Sequence, residues 1–574
     1  MKKFVVPLLF LFIVSGCKKN NDNPEKLEIG SPPEGYIVLT YASISGSKNY
    51  TGNYALIGDT NYVTRATVYL NDELIDANEY KLLDEPGFYT LEIQGEGNDI
   101  HTIQFVILDP ARKETDWGLK TWVPQAFEIN TNVEGQLDII YPKRHIAEIN
   151  LPVVVYNLSG NKINPAYYSL TNSVNTVQDY VKRGVGSLNI DIENNYSFTI
   201  TIGNITENIN VDHVSSGWTT IPTTISDEVT IPANSFVHLT EDINITTGGS
   251  LNIQQGSVIV IDQGINIHTA GPVDIQGSKT NPVLITCSNP DSFWGGIIAN
   301  GDAADITLQY AFINQGGYNT GSEYEWGHAK RQAAIYTNQA DLNADHCYFL
   351  DHIGQVFYPV ESEVILRDIL VQRAKTTGQL NSSEVTVDNC IFTDFPEYSD
   401  QYMDYDNDAL YLNLSNASIT NSTFMYAKDD GLDTGTDSGG EVTVDSCWFE
   451  GMFHEGIAMS SAEGSVKSHH VSNSTFTNCG QGIELGFSSE YHVATVENCL
   501  AFGNLIGIRY GDCYPWTQEG QLIINNTQSI HNIDKDIWNM SRACWCPRLE
   551  NTILTNVQIS IPSDQYPGLE VINE

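Results

Sequence analysis

The sequence predicts an all-β protein in which two small sandwich modules precede a long solenoid of short stacked strands. Three observations predict it. Between about Tyr36 and Val214, apolar and polar residues alternate in runs such as "ATVYLND", "YTLEIQG" and "INLPVVVYNL", separated by Gly, Asn and Asp, which is the period of half-buried strands. After Trp218 the texture changes to short apolar pairs at close intervals, as in "GGSLNIQQGSVIVIDQGINIHTAG". From there small-then-aliphatic pairs recur every 20 to 31 residues, a spacing suited to coils that each bury an apolar face against the next.

The N-terminus has a basic start at Lys2-Lys3, an apolar run from Phe4 to Val14, and then "VSGC". The apolar run is too short for a membrane-spanning helix and has the grammar of an export signal. Because the small residues end on a cysteine, the stretch resembles the bacterial lipobox. That resemblance implies cleavage before Cys17, a lipid on it, and a place in the cell envelope as an outer-membrane or cell-surface lipoprotein. Residues 1–17 are then signal and anchor, and 18–33, rich in Asn and Lys, a solvated tether.

The first alternating module is expected over 34–111 and the second over 112–217. Both look like small immunoglobulin-like β-sandwiches, and neither carries a recognisable constellation of chemical groups, so both read as spacer or docking modules.

The solenoid is expected over 218–574. Its first ladder runs Ala334-Ile335, Gly354, Gly378, Ala409-Leu410, Gly431-Leu432, Gly456-Ile457, Gly482-Ile483 and Gly507-Ile508. A second, in phase, ends "DHCYF", "DNCIF", "TNSTF", "DSCWF", "SNSTF" and "ENCLAF" at Phe349, Phe392, Phe424, Phe449, Phe476 and Phe502. Cys347, Cys390, Ser422, Cys447, Ser474 and Cys499 share one column and read as inward packing. On these ladders, and on cap-like "FWGGI", the region resembles the right-handed parallel β-helix of secreted polysaccharide-active proteins, from roughly Thr220 to Ser560.

If Leu410, Leu432, Ile457, Ile483 and Ile508 face inward, alternation turns Tyr411, Asp433, Ala458, Glu484 and Arg509 outward. One step before the small residue lies the column Asp408, Asp430, Glu455, Gln481 and Ile506, with Asp429 and His454 beside it. Coils stack about 4.8 Å apart, and two unit charges at that spacing repel by roughly 3–4 kcal/mol at an effective dielectric near 20. Such a ridge must hold protons or a cation, unless its acids serve only as turn-capping groups. Insertions upstream of the ridge carry Tyr318, Tyr324, Trp326, Tyr398, Tyr402 and Tyr405. Flat amphipathic rings of this kind suit stacking on sugars while carboxylates such as Glu484 bind hydroxyls.

Two enzyme families on this fold resemble the ridge. Polygalacturonase-type hydrolases carry Asn-x-Asp, Asp-Asp and Gly-His-Gly elements on successive coils. Here "DND" ending at Asp408, the pair Asp429-Asp430 and "FHEG" at His454-Glu455 follow in that order. The resemblance implies Asp429 as general acid with Asp408 and Asp430 activating water. Calcium-dependent pectate lyases use an Asp-Asp-x-x-Asp cluster and an Asp one coil earlier, matched by Asp429, Asp430, Asp433 and Asp408, together with a basic residue. That resemblance implies Ca²⁺ on hard oxygen ligands and Lys428, Lys467 or Arg509 as base. His469 and His470 read as solvated turn residues.

Charge bounds the partners. Asp plus Glu number 71 against 28 Lys plus Arg, a net charge of −43, which argues against nucleic acid or anionic lipid. Nine cysteines besides Cys17 leave at least one outside any pairing; Cys513 with Cys544 or Cys546 is the one pairing entertained. The reading is a monomeric envelope protein that binds a polysaccharide and cleaves it as a lyase or a hydrolase, or else a glycan-binding adhesin without catalysis.

Overall fold

In a computed structural model of the chain, the described residues are the strands between Ile37 and Glu128, most of 133–213, and 217–572 except 396–406, 428, 436–439, 453, 512–517, 533 and 540–548. Cys17, Tyr398, Tyr402, Tyr405, Lys428 and the Cys513, Cys544 and Cys546 set lie outside them. Among the described residues no helix is long and apolar enough to cross a membrane.

From Glu228 onward the chain winds into thirteen successive coils, each giving one strand to a thirteen-stranded sheet and, to a twenty-six-stranded one that starts at Trp218, two strands or the single long strand Tyr348–Val360 or Leu370–Asn381. Every pairing between coils is parallel. A coil therefore has three faces. The first runs from Glu228–Ile231 to Thr552–Thr555, the second includes Trp448–Glu450, and the third includes Glu455–Met459.

The predicted interior is the observed one. Leu410, Leu432, Ile457, Ile483 and Ile508 are all 0% exposed, and Leu432 pairs with Ile457, which pairs with Ile483. Glycine precedes the aliphatic residue because the next coil leaves no space: a Cβ on Gly456 would sit 2.5 Å from the Gly482 carbonyl oxygen and 2.8 Å from the Phe476 ring. Phe424, Phe449 and Phe476 stack inside the solenoid with centroids 4.7 Å apart and planes within 4–5°, and each buried ring contributes roughly 1.5–3 kcal/mol. The cysteine column is interior as expected: Cys447 Sγ donates to the Asp445 carbonyl and its N–H donates to Ser474 Oγ, one coil on.

Two ladder positions differ from expectation. Ala501, not Phe502, pairs with Phe476, because "ENCLAF" carries one residue more than "DNCIF" between cysteine and phenylalanine; Phe502 is only partly buried. A register shift between His352 and Gln355 takes Gly354 out of its column. Phe357 there pairs with Ile335, and Gly378 pairs with Phe357.

In the N-terminal modules, two antiparallel sheets of three and five strands span Ile37 to Glu128. Phe127–Glu128 pairs with Phe105 and Val106, so the first module reaches past residue 111. Seven strands between Leu137 and Asn210 form one antiparallel sheet, where two facing sheets had been expected. Leu151, Val153, Leu170, Ile190, Ile200 and Ile209 make one core on it.

The other side of this sheet lies on the second face of the solenoid. Val154, Val185 and Ile140 pack against Phe236, Val258, Leu284, Phe312, Tyr348, Leu370 and Ile391. Lys182 pairs with Asp394. Arg183 pairs with Glu450, with its guanidinium 3.7 Å from the Trp448 ring centroid, and Glu450 also accepts from Tyr426 Oη at 3.1 Å and Trp448 Nε1 at 2.9 Å. Removing one partner of such a buried pair typically costs about 3–5 kcal/mol, enough to hold the module in place. The second face is thus covered, and the ridge lies on the third.

Candidate functional site

On the third face, alternation projects a column outward through Tyr411, Asp433, Ala458, Glu484 and Arg509, paired coil to coil in that order. Toward the N-terminal end it continues through Gln379 to Tyr358 and Tyr336. Beside it, Asp408, Asp430 and Glu455 follow one another up the stack.

Part of the ridge is backbone capping. Asp408 Oδ1 accepts the Asp430 N–H at 3.2 Å, Asp430 Oδ1 accepts the Glu455 N–H at 2.8 Å, and Asp433 Oδ1 accepts the Gly435 N–H at 2.8 Å. Each acid therefore satisfies a donor of the next coil or of its own turn, as Asp does elsewhere.

The rest is an ionisable network. His454 Nδ1 lies 2.5 Å from Glu455 Oε2 and 3.5 Å from both Asp429 Oδ1 and Asp430 Oδ1. Its Nε2 is buried with no hydrogen-bond partner among the described residues. Arg509, 0% exposed, pairs with Glu484 and reaches Glu455 Oε1 at 3.4 Å. With its nitrogen turned toward Glu455, the Gln481 amide donates to Oε1 at 2.9 Å and accepts from the Arg509 guanidinium at 3.0 Å.

This network drives two neighbouring carboxyls apart. Burial, then the charges of Asp430 and Glu484, push Glu455 well above the usual carboxylate range. Burial would raise Asp430 as well, but the hydrogen bond and charge of His454 and the bonds from Glu455 hold it below that range. Glu455 keeps its proton under conditions in which Asp430 has lost its own.

On the third face two groups of side chains have ligand atoms within 4.8 Å of one another, Asp408, Asp430 and Asp433, and Asp429, Asp430 and His454; a further group, Asp345, His346 and Asp368, lies away from it at the turn after the first face. The first is all oxygen and suits a hard cation. One oxygen on each of its three acids already accepts a backbone N–H, so the set offers fewer ligands than the eight oxygens of four uncommitted aspartates.

The aromatic residues make a wall. Trp326 stacks on Tyr336 at 4.2 Å and lies 5.7 Å from Tyr358, with Tyr324 edge-on to it at 5.5 Å. Trp326 thus gives one ring face to the protein's own Tyr336. Arg509 is engaged by Glu484 and Glu455, so it positions these two acids and does not serve as base. Lys467 points into the solenoid, bonded to the Thr434 and Gly435 carbonyls. His469 is likewise interior and 2% exposed, against the solvated position expected, whereas His470 is exposed. Sequence reasoning passed over Tyr336, Tyr358 and Gln379. The signal for them was the outward position one residue after the aliphatic, open to view for Tyr336 after Ile335 and hidden by the register shift for Tyr358 and Gln379.

A separate cleft of about 340 Å³ follows the turn between the first two faces, lined by Asn473, Asn498, Asn526, Asn556, Gln528 and Gln558. Its amides bond up the stack, as from Asn556 to Asn526 at 2.8 Å and from Gln528 to Gln558 at 2.6 Å, and none of these side chains titrates.

The model of the right-handed β-helix region matches residues 333–501 and 408–537, all within the parallel-coiled part of the chain. Among solved structures, an alginate lyase from Paenibacillus sp. strain FPU-7 is similar at 11% identity and a TM-score of 0.22, over 53% of this chain and 84% of that one. A likeness at that level says nothing of activity. No curated protein matches.

Proposed function

We propose that this right-handed β-helix is an envelope-anchored, glycan-binding protein that cleaves its glycan by acid–base chemistry on the third face. The observation that carries the reading is the convergence of three acids on His454, whose Nδ1 lies 2.5 Å from Glu455 Oε2 and 3.5 Å from Asp429 Oδ1 and Asp430 Oδ1, with the directions in which Glu455 and Asp430 shift in agreement. A proton-holding carboxyl beside an ionised one is how a site supplies acid and base at one pH. Glu455 donates to the leaving oxygen, and Asp430 with Asp429 accepts a proton from water or from the sugar. His454 orients both, and Arg509 positions Glu455 together with Glu484. Asp433 binds hydroxyls, while Glu484, enclosed with Arg509, does not reach them.

The cation belongs to the same proposal. Asp408, Asp430 and Asp433 would hold Ca²⁺, with Asp429 alongside and water completing the shell. When bound, the ion supplies charge that offsets the repulsion among these carboxylates. If it binds only the folded chain, stability rises as RT ln(1 + [L]/Kd), about 2.7 kcal/mol at a hundredfold excess. A chelator should lower the melting temperature, and Asp430→Asn should weaken the calcium response more than Asp564→Asn does. Identical melting with calcium and with chelator would leave these three acids as capping groups.

The test of function is incubation with xylan, mannan, β-1,3-glucan, polygalacturonate and alginate. New reducing ends without ultraviolet absorbance mark a hydrolase, and absorbing unsaturated ends mark a lyase. Binding without either product favours the adhesin alternative, and no binding at all removes the glycan reading.

The anchor is proposed at Cys17, with the first N-terminal module as an immunoglobulin-like spacer, the second as a cover docked on the solenoid, and the protein a monomer that meets the membrane through lipid alone. Mass spectrometry of the mature N-terminus should find a lipidated Cys17, and Cys17→Ser should release the protein or leave it unprocessed. An unmodified cysteine would remove the anchor.

A further inference from the structure

Along the third face, the outward column is buried on both sides of Asp433 and Ala458, at Gln379 and Tyr411 and at Glu484 and Arg509. At Tyr336 and Tyr358 it lies under the Trp326 ring. At Gln379 it lies under the following turn, where Gln379 Oε1 accepts the His328 N–H at 3.0 Å. At Tyr411 it meets the His328 ring, with centroids 4.6 Å apart. The segment from Tyr318 to Arg331 is built onto the face. Trp326 and Arg331 form a bridge, and Gln355 Nε2 donates to both of their carbonyls, at 3.0 and 2.7 Å. Gly327 makes the turn between the two rings at φ +64°, a conformation open to glycine at little cost. In the other direction Glu484 is 3% and Arg509 0% exposed.

Between buried Gln379 and Tyr411 on one side and buried Glu484 and Arg509 on the other, Asp433 and Ala458, with His454 next to them, are half-exposed, as are the outlying Tyr336, Tyr358 and Trp538. Two coils at about 4.8 Å each give an opening of roughly 10 Å along the solenoid axis, room for about two ring-sized units. An open groove that passes a polymer through would need the column uncovered on both sides of the carboxylates.

We propose that the site is a blind pocket that receives the end of a glycan chain, with the Trp326 and His328 wall setting that specificity. The inference rests on the glycan reading above and adds to it the part of the polymer recognised. A terminus that enters beside His454 and Asp433 is stopped by the 318–331 segment, so Glu455 meets a linkage one or two residues from the chain end. The Trp326 ring is stacked on Tyr336 and Tyr358 and the His328 ring lies tilted against Tyr411, so the wall limits the length of sugar admitted.

The full-length protein is assayed against xylan, mannan, β-1,3-glucan, polygalacturonate and alginate, and against a hexasaccharide of each. Binding should track chain ends: at equal mass, the hexasaccharide should compete at least tenfold better than its long polymer. Products should be one or two sugars long from the first time point, with little fall in viscosity. Trp326→Ala and His328→Ala, made singly and together, should shift products toward longer fragments and bring polymer and hexasaccharide toward equal competition. Equal competition by mass in the unaltered protein, or a ladder of intermediate fragments at early times, overturns end recognition and leaves the glycan reading standing. Failure to bind any of the ten probes overturns both. End-dependent binding without products keeps the pocket and removes the catalysis.

Discussion

Glu455→Gln should abolish glycan cleavage, lowering turnover by about 10²–10⁴-fold, the range associated with a positioned general acid, while the β-helix stays folded. The side chain is neutral either way, because burial and the charges of Asp430 and Glu484 already hold its proton on. Gln481, one coil on in the same column, shows that an amide suits the stack. What the amide lacks is a proton to give.

The same variant carries a stability readout that does not depend on turnover. A carboxyl whose folded value is raised binds more protons folded than unfolded once pH exceeds the unfolded value near 4.3. Its contribution is complete below that value and is lost as pH rises through the folded one. Glu455→Gln keeps the neutral form at every pH, so its melting temperature should fall less between pH 5 and 9 than that of the unaltered protein. Asp430 runs the other way: its value is depressed by His454 and by Glu455, so it stabilises above about pH 3.9 and loses that contribution in more acid solution. Asp430→Asn should therefore be less stable at neutral pH, and flatter below pH 4. Full turnover in Glu455→Gln would take Glu455 out of the chemistry, and identical pH slopes in all three proteins would mean the two carboxyls are not driven apart.

The solenoid was legible because its interior obeys a rule visible in one dimension: a small residue, then an aliphatic, once per coil. Gly456 and Ile457 are small and apolar for reasons that belong to their own coil and the next. The ridge was legible for the same reason, since Asp408, Asp430 and Glu455 inherit the phase of that ladder. The meaning of the ridge was less so. That Asp408 and Asp430 cap backbone donors, and that Arg509 closes on Glu484 from a neighbouring coil, depends on rotamers the pattern does not encode.

Docking of the N-terminal module was half-legible. Val258–Ile261 and Val283–Cys287 are buried along their whole length, and a run apolar on both sides of a strand demands a cover on each. Nothing local could say that the cover is the strand Val185–Ile190 and its neighbours, or that Lys182 and Arg183 would sit against Asp394 and Glu450. His469 was misread because "KSHHVS" looks like a polar turn. Alternation within that strand sends Lys467, His469 and Val471 inward, and polar side chains can take interior positions only by bonding one another.

Acid should unfold the protein between about pH 6 and 4, earlier than carboxylate titration alone would bring about. Four histidines are buried in neutral form. His352 donates from Nε2 to the Ile313 carbonyl at 2.8 Å and accepts the Gly316 N–H on Nδ1 at 3.1 Å, so a second proton would displace that bond. Burial holds it down to about 4, with Asp351 nearby opposing the shift. Burial and the charge of His213 take His145 to about 4 against Asp191. His469 and His492 face each other inside the solenoid, Nδ1 to Nε2 at 2.7 Å, with Thr434 and Ser461 on their outer nitrogens. One proton fits between the two rings, and the Lys467 ammonium beside them disfavours a further charge. Burial lowers His469 well below its ordinary value and His492 to about 3. A base whose folded value is depressed binds fewer protons folded than unfolded in the window between the two values. Its stabilisation is present above about 6.5 and drains away as pH falls toward the folded value, at about 1.4 kcal/mol per pH unit for each histidine. Several such groups titrating together would consume a typical stability of about 5–15 kcal/mol within a few pH units. Urea unfolding followed by circular dichroism from pH 8 to 4 should show this steepening below pH 6.5. A His469→Gln/His492→Gln variant should be less stable at pH 7 and flatter below it. A midpoint that holds constant from pH 7 down to 4.5 in the unaltered protein would mean that these histidines are accommodated in charged form.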